Sequence, residues 1–324
     1  MAARRDEDPV DVLVVGDLLI DVIVRPAGPR TAGSDTVARI EHRRGGQGAN
    51  QAAWFAAEGT RVGLAARIGI ADLEVVAWEL RAVGIAPFLE RDAERATGTI
   101  VVLVDPATGE RDMFSDRGAA AALAPADLGP GLAAARRWVH VSGYAIFGEH
   151  GPDVAATATA EARRRELGLS VDPASCSELV RFGVERFLDT VRGVDVLLPN
   201  ADEALLLTGC RSPADAAAAL LDVAPTVAVT CGPNGALVAC RGGPLLEGAA
   251  RPATVVDTTG AGDAFTAGFL AGVVDGADAG ACLGRGLRAA ERAVAQVGGQ
   301  PESLSSSPTP PDPGGRKRVP RRGG

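Results

Sequence analysis

Lysine is nearly absent from this 324-residue chain: Lys317 is the only one, and arginine carries the other basic positions. This excludes a Walker A lysine, a protein-kinase strand lysine and a Schiff-base lysine from the folded part. Histidine is scarce as well, and His42, His140 and His150 show no metal-site spacing. The cysteines Cys176, Cys210, Cys231, Cys240 and Cys282 are scattered without a C-x-x-C pair, which fits a reduced, cytoplasmic chain. No apolar run approaches the roughly 20 residues of a membrane span, and "MAARRDEDPV" lacks the apolar segment of a secretory signal. A membrane partner is therefore not expected. Nucleic acid is disfavoured too. The net charge is -8, and the tail from Ser303 holds five basic residues and one aspartate, so the remaining body carries -12.

What is present is an apolar fraction of 46%, enough for one large domain with a small appendage. "DVLVVGD" (11–17) reads as a buried strand and "LLIDVIVRP" as a second extended piece. "ANQAAWFAAEG" (49–59) reads as a helix, "RVGLAARIG" as a strand and "DLEVVAWELRAVG" as a helix closed by Gly84. "TGTIVVLVDPATGERDMFSD" is a hairpin pattern with its turn at Asp105–Gly109. From residue 137 strands and helices alternate. "RWVHVSG", "GLSVDP", "VDVLLPN", "TVAVTCG" and "GALVAC" are the strands. Helices are expected at 153–167, up to about 190, in two short pieces over 202–221, at 262–274 and at 279–297. This alternation predicts an α/β body with a mainly parallel sheet covered on both faces. Segments of about 20–45 and 88–116 do not fit it and are expected to form a small β lid. Residues 1–10 are expected to be flexible and 11–302 to form the folded unit. The Ser/Pro/Gly-rich stretch 303–324, ending in "RKRVPRR", is expected to be a disordered basic tail, solvated or meeting an anionic partner.

Two glycine clusters open helices. In "DTTGAGDAFTAGFL" the turn Thr259–Gly262 precedes a helix whose first N–H groups are unpaired and whose dipole favours an anion, with Asp263 in the first turn. A carboxylate beside an anion cradle suits phosphoryl transfer, the cradle neutralising the group in transit and the carboxylate accepting a hydroxyl proton. A plain helix-start carboxylate is the other reading. "RRGGQGANQAA" is either a turn or a second binding element. It does not fit G-x-G-x-x-G, since Gln51 stands at the last position.

Together these clusters resemble the two signatures of the PfkB-type, ribokinase-like carbohydrate kinases, and the resemblance spans about Val12 to Gln300. It implies a three-layer α/β/α body with a small β-sheet lid, a homodimer formed through that lid, and ATP-dependent phosphorylation of a hydroxyl on a small sugar or sugar acid. By resemblance, Asp263 is the base and the N–H groups of Gly260, Ala261 and Gly262 form the anion hole. Asp21, Gly45, Gly46 and Asn50 hold the sugar. Asn200 and Glu203, in "LLPNADEALLLTG", position Mg²⁺ through water, and Thr230, Gly232 and Gly235 lie along ATP. Asp257 and the Thr259 carbonyl resemble part of a monovalent-cation site, such as one for K⁺. Asn200 and Glu203 also read as a helix cap and a solvated helix-start acid. Arg117, where the lid chain re-enters the body, is expected either to touch substrate or phosphate or to form a surface salt bridge.

The chain also departs from ribokinase. Leu19 stands where ribokinase has an asparagine, Gly143 where it has a substrate-binding glutamate, and Gln47 where it has a lysine. "GIADLE" replaces the G-D-D-x-x-G turn that contacts the lid, and Glu302 replaces a serine near the cation site. Leu19 and Gly143 predict a weak preference for ribose, with Gly143 freeing volume for a longer polyol. Other readings are a nucleoside or hydroxymethylpyrimidine-like kinase, a non-catalytic sugar- or nucleotide-sensing homologue, and a dinucleotide oxidoreductase, which lacks its fingerprint at "VVGD".

Overall fold

The computed structural model describes residues 9–29, 33–108 and 111–302. Residues 1–8 of the expected flexible start, Gly109 of the hairpin turn and the tail 303–324 lie outside the described residues.

The first strand, β1 (Val10–Val15), is buried on both faces. Val12 and Val14 join one apolar cluster, and Leu13 and Val15 join another. A central strand between two helical layers requires this pattern. β2 (Leu19–Pro26), β3 (Ala38–Gly45), α1 (Gln47–Ala57), β4 (Val62–Gly69), α2 (Leu73–Ala82) and β5 (Ile85–Asp92) follow. Next come the hairpin β6 (Thr97–Val104) and β7 (Arg111–Gly118), then α3 (Gly129–Ala134) and β8 (Ala135–Ser142). The chain continues through α4 (Gly143–Ile146), α5 (Gly151–Arg164), β9 (Gly168–Asp172), α6 (Cys176–Phe182), α7 (Val184–Val191) and β10 (Val196–Leu197). It closes with α8 (Ala201–Thr208), α9 (Pro213–Ala219), β11 (Thr226–Thr230), β12 (Ala236–Cys240), β13 (Leu246–Gly248), α10 (Ala261–Val274) and α11 (Ala279–Val294).

Nine strands form the large sheet in the order β13-β12-β11-β10-β9-β8-β1-β4-β5, and all neighbours are parallel except the pairs β11–β12 and β12–β13. Four strands form a separate small sheet, β3-β2-β6-β7. The expected α/β architecture with a lid is therefore observed. The second lid segment needs a correction. Ile85–Asp92 pairs with β4 over eight positions and buries Ile85 and Phe88, so residues 88–92 belong to the large sheet and the lid resumes at Thr97. The apolar half of β5 gains more from the body's core than from a half-exposed sheet. The helix expected up to about 190 is broken at Gly183 (φ 98°) into α6 and α7.

Crossing from β1 to β4 on one side and from β8 onward on the other reverses the strand order beside β1. In open α/β sheets ligands bind at such a reversal, beyond the carboxyl ends of the strands. Asp17 after β1, Ser142 after β8, Asp172 at the end of β9 and Thr230 at the end of β11 all lie there.

Candidate active site

A cavity of about 1310 Å³ lies between these strand ends, the small sheet and the start of α10. Asp21, Gly46, Asn50, Arg117, Asn200, Glu203, Thr230, Asp257, Thr259, Gly260, Gly262 and Asp263 all line it, though they are drawn from segments more than 200 residues apart. Four of the expected site residues do not. Gly45 backs onto Asp21, where a Cβ would sit 2.2 Å from its carboxylate. The Ala261 N–H points at the Thr258 carbonyl at 3.3 Å, which leaves Gly260 and Gly262 as the cavity-facing members of the turn. Gly232 and Gly235 sit in a short 3₁₀ turn beyond β11, with Gly235 pressed against the Gly248 carbonyl of β13. Their glycines serve that turn and do not face the cavity.

Gly260 caps α10 in the left-handed region (φ 75°), a conformation glycine takes without strain. A Cβ on it would sit 2.5 Å from the Gly299 backbone, so Gly299 packs closely against the turn. Asp257 ties these pieces together. Its Oδ1 accepts from the Thr259 N–H (2.9 Å) and hydroxyl (2.7 Å), and its Oδ2 accepts from the Gly298 N–H (3.1 Å). Asp263 follows in the first turn, where Asn50 Nδ2 donates to its Oδ2 at 3.1 Å. Burial raises the Asp263 carboxyl well above the usual range, the nearby Asp172 charge adds to this, and the Asn50 hydrogen bond opposes it.

The lid supplies Asp21. Burial pushes its carboxyl up to about 6, with the Asp17 charge adding and Arg43 opposing. Asp21 Oδ1 and Asn50 Oδ1 are the two buried side-chain oxygens without a hydrogen-bond partner among the described residues. Both belong to residues that line the cavity. Arg117 is neither free nor in a surface pair. It donates to Asp17 Oδ2 at 3.0 Å, where Asp17 is 2% exposed, and its guanidinium lies 4.3 Å from the Tyr144 ring centre.

Asn200 is a helix cap. Asn200 Oδ1 accepts the Glu203 N–H and Glu203 Oε2 accepts the Asn200 N–H, each at 2.9 Å, a capping box that opens α8. Glu203 is 2% exposed and is no solvated acid; burial and the Asp172 charge raise its carboxyl.

Sequence reasoning missed Asp172, Asp17 and Tyr144. Asp172 is a hub: Gln47 and the Ala174 N–H donate to Oδ1, both at 2.9 Å, and Gln51 (3.0 Å) and Thr266 (3.1 Å) donate to Oδ2. Gln51 is held in turn by His140. Burial lowers this imidazole to about 3, so it is neutral. Gln51 Oε1 can only accept, which makes Nε2 of His140 the donor (3.0 Å) and leaves Nδ1 to accept from Ser170 (2.8 Å). Thus Gln47, at the ribokinase lysine position, ties α1 to β9. The available signal was positional, since Asp17 and Asp172 both stand at carboxyl ends of parallel strands. Gly143 also differs from expectation. A Cβ there would lie 2.5 Å from the Pro173 carbonyl, so it allows close packing of α4 and frees no volume in the cavity. Leu19 is buried against Gly98. The "GIADLE" turn keeps a lid contact, with Asp72 accepting from the Thr97 hydroxyl at the start of β6.

Among the described residues no helix is long and apolar enough to cross a membrane. The family model for pfkB family carbohydrate kinases matches residues 10–306. The chain is similar to a fructokinase from Klebsiella pneumoniae, 33% identical over 279 residues, covering 81% of this chain and 84% of that one. It is also similar to a 2-dehydro-3-deoxygluconokinase from Thermoproteus tenax, 28% identical over 309 residues and covering 93% of each. The solved structure of an adenosine kinase from Sinorhizobium meliloti superimposes with a TM-score of 0.80 at 26% identity, covering 91% of this chain and 97% of that one. With these likenesses added to the site geometry, the chain belongs to the pfkB family and is a carbohydrate kinase with a ribokinase-like fold.

Proposed function

We propose that this kinase transfers the γ-phosphoryl group of ATP to a hydroxyl of a small sugar or sugar acid, with Asp263 as general base. The observation that carries this reading is the pair of orphaned oxygens, Asp21 Oδ1 and Asn50 Oδ1, in one cavity with Asp263. A buried acceptor left unpaired costs about 1–3 kcal/mol, and the hydroxyls of a polyol are the donors that relieve it. Asn50 serves twice, since its amide nitrogen holds Asp263 while its oxygen awaits substrate. The substrate oxygen attacks the γ-phosphorus, the bond to the bridging oxygen of ADP breaks, and the hydroxyl proton passes to the Asp263 carboxylate. Burial makes Asp263 a stronger base than a solvated aspartate. The N–H groups of Gly260 and Gly262 at the start of α10 receive the developing negative charge.

Mg²⁺ fits the donor set. The Asp172 carboxyl repels both Glu203, beside the Asn200 cap, and Asp263, and among the described residues no three His, Cys, Asp or Glu side chains converge to grip an ion. Glu203 and Asn200 would therefore hold the ion through water. When bound it neutralises phosphate charge. Thr230, bridged to Asn200 at the strand ends, faces the same nucleotide side. The Asp257–Thr259 turn is our candidate for a monovalent cation such as K⁺, tested by comparing turnover in K⁺ and tetramethylammonium.

A nucleoside acceptor is the second reading, favoured by the adenosine kinase likeness. ADP release across a panel of sugars, sugar acids and nucleosides separates the two, with Asp263→Asn as control. A panel without turnover leaves the sensing homologue.

We also propose a cytoplasmic homodimer through the lid. All five cysteines are free. Cross-strand partners place Val22, Val24, Ile40, Val101, Leu103 and Phe114 on the lid face opposite Asp21, with Ile40 56% and Phe114 61% exposed. Phe114→Glu should shift the mass in light scattering from dimer to monomer; a monomeric wild type would overturn this.

A further inference from the structure

The charges around Asp21 limit what the acceptor can be. Four acids, Asp17, Asp21, Asp172 and Asp263, line the sugar end of the cavity. Three of the arginines that line the cavity with them, Arg43, Arg44 and Arg117, are each in an ion pair. Arg117 is held by Asp17 at 3.0 Å. Arg43 pairs with Glu41 at 2.9 Å and donates to the Val297 carbonyl, and Arg44 pairs with Glu79 at 2.7 Å. Arg25 lines the cavity too, but at the far end of β2, four residues beyond Asp21 and so about 13 Å along the strand. His42 also lines the cavity, from the position paired with Val22 rather than with Asp21. The orphaned groups, Asp21 Oδ1 and Asn50 Oδ1, are acceptors. They call for hydroxyl donors, and a carboxylate or phosphate has none to offer in its ionised form.

Asp17 is the residue that creates this situation. Its Oδ1 accepts the Gly48 N–H at 3.0 Å at the start of α1, and its Oδ2 takes the Arg117 guanidinium. Tyr144 covers that guanidinium at 4.3 Å. Arg117 is thus held and neutralised at the cavity wall. Without the Asp17 charge it would become an open anion receptor, since a guanidinium binds carboxylate through its fork of N–H donors.

We infer that the phosphate acceptor of this enzyme is an uncharged polyol, and that Asp17 is a specificity-determining residue that excludes sugar acids and sugar phosphates by occupying Arg117. The inference rests on the kinase reading above for the identity of the cavity, and it narrows that reading from sugar or sugar acid to neutral sugar or nucleoside.

The test compares fructose, ribose and adenosine with gluconate, 2-keto-3-deoxygluconate and fructose 6-phosphate at saturating Mg-ATP. Two readouts are taken: kcat/KM from ADP release, and the rise in Tm on adding each compound without nucleotide. Wild type should favour its best neutral compound over its best anion by at least about tenfold in kcat/KM, and only neutral compounds should raise Tm. Asp17→Asn should lower the neutral kcat/KM and narrow the ratio by about tenfold or more, with an anion now raising Tm. Arg117→Gln in the same background should abolish that gain. A wild type that prefers an anion, an Asp17→Asn variant that loses both classes equally, or no Tm rise with any neutral compound overturns the inference. A Tm rise with a neutral compound but no ADP release overturns the kinase reading and leaves the charge selectivity standing. Where Asp17→Asn fails to fold, the wild-type comparison still decides the charge of the acceptor, and Asp17→Ser, read in the same two ways, decides the role of Asp17.

Discussion

The starts of α1 and α10 are both rich in glycine, and they use it for opposite reasons. At α1, a Cβ on Gly48 would lie 2.8 Å from both the Asp17 nitrogen and the Gly16 Cα, so the helix is docked backbone to backbone on the turn after β1. At α10, a Cβ on Gly262 would have nothing within 4 Å, its φ is not in the left-handed region, and the residue lines the cavity. Packing therefore demands glycine at 48 and makes no such demand at 262. The first cluster is scaffold that aims side chains: Gln47 and Gln51 at Asp172, Asn50 at Asp263. The second offers backbone N–H groups and a carboxylate to open space. Similar local chemistry in sequence thus separates into a structural and a functional use only when the neighbours are known.

The largest test of this contrast is Asp263→Asn. The fold should be retained and kcat should fall by about 10²–10⁴. Retention of more than about a tenth of the wild-type kcat would falsify the base role and with it the functional reading of the α10 start.

Asp21, opposite Asn50, comes next. Asp21→Asn should lower kcat/KM by roughly 5- to 150-fold, the equivalent of about 1–3 kcal/mol. Its carboxyl is raised to about 6, so sugar KM should climb as pH falls through that value. A carboxyl raised by folding binds its proton more tightly in the native state, so its unfavourable contribution to stability sets in as pH rises from about 4 through 6. Asp21→Asn should therefore melt no lower than wild type at pH 8, and a clear loss of Tm there would make Asp21 a structural residue.

Gly262→Ala sharpens the comparison directly. Alanine is the better helix former, so Tm should hold or rise. Crowding the anion hole should cost about 10–10²-fold in kcat/KM, the scale of a small misplacement at a reacting centre. Full activity in this variant would show that the space beside Gly262 is not used.

Gly48→Ala should do the reverse, losing about 1–3 kcal/mol of stability through overpacking while leaving the kcat of the folded fraction close to wild type. Thermal melts beside active-site titration separate the two effects. Equal stability would mean that the α1 docking is looser than its 2.8 Å approach implies.

The legible part of this protein was what neighbours in sequence decide. β1, β4 and α10 could be read because apolar runs and periodicities are local, and the candidate base with its turn stood out because "DTTGAGD" packs turn, helix start and carboxylate into one stretch. Residues 88–92 of β5 were placed in the wrong sheet because an apolar stretch followed by charged residues suits either an edge of the body or a lid strand, and only pairing with β4 decides. Gly143 looked like a lost side chain because its neighbour in space, the Pro173 carbonyl, is thirty residues away in sequence. Arg117 was left between two roles because its partner Asp17 lies a hundred residues earlier.

The sequence by itself determined the alternation of the main strands and helices, the starts of the long helices, and the residue types available for phosphoryl transfer. These depend on backbone propensity and on chemistry carried within a few residues. The tertiary structure alone decided which of those residues share a desolvated space. Burial and charge proximity fall off over a few ångströms and take no account of sequence separation. That is why Asp172, unremarkable in "GLSVDP", becomes the anchor of α1 and α10, and why the charge of Arg117 meets that of Asp17 at the cavity wall.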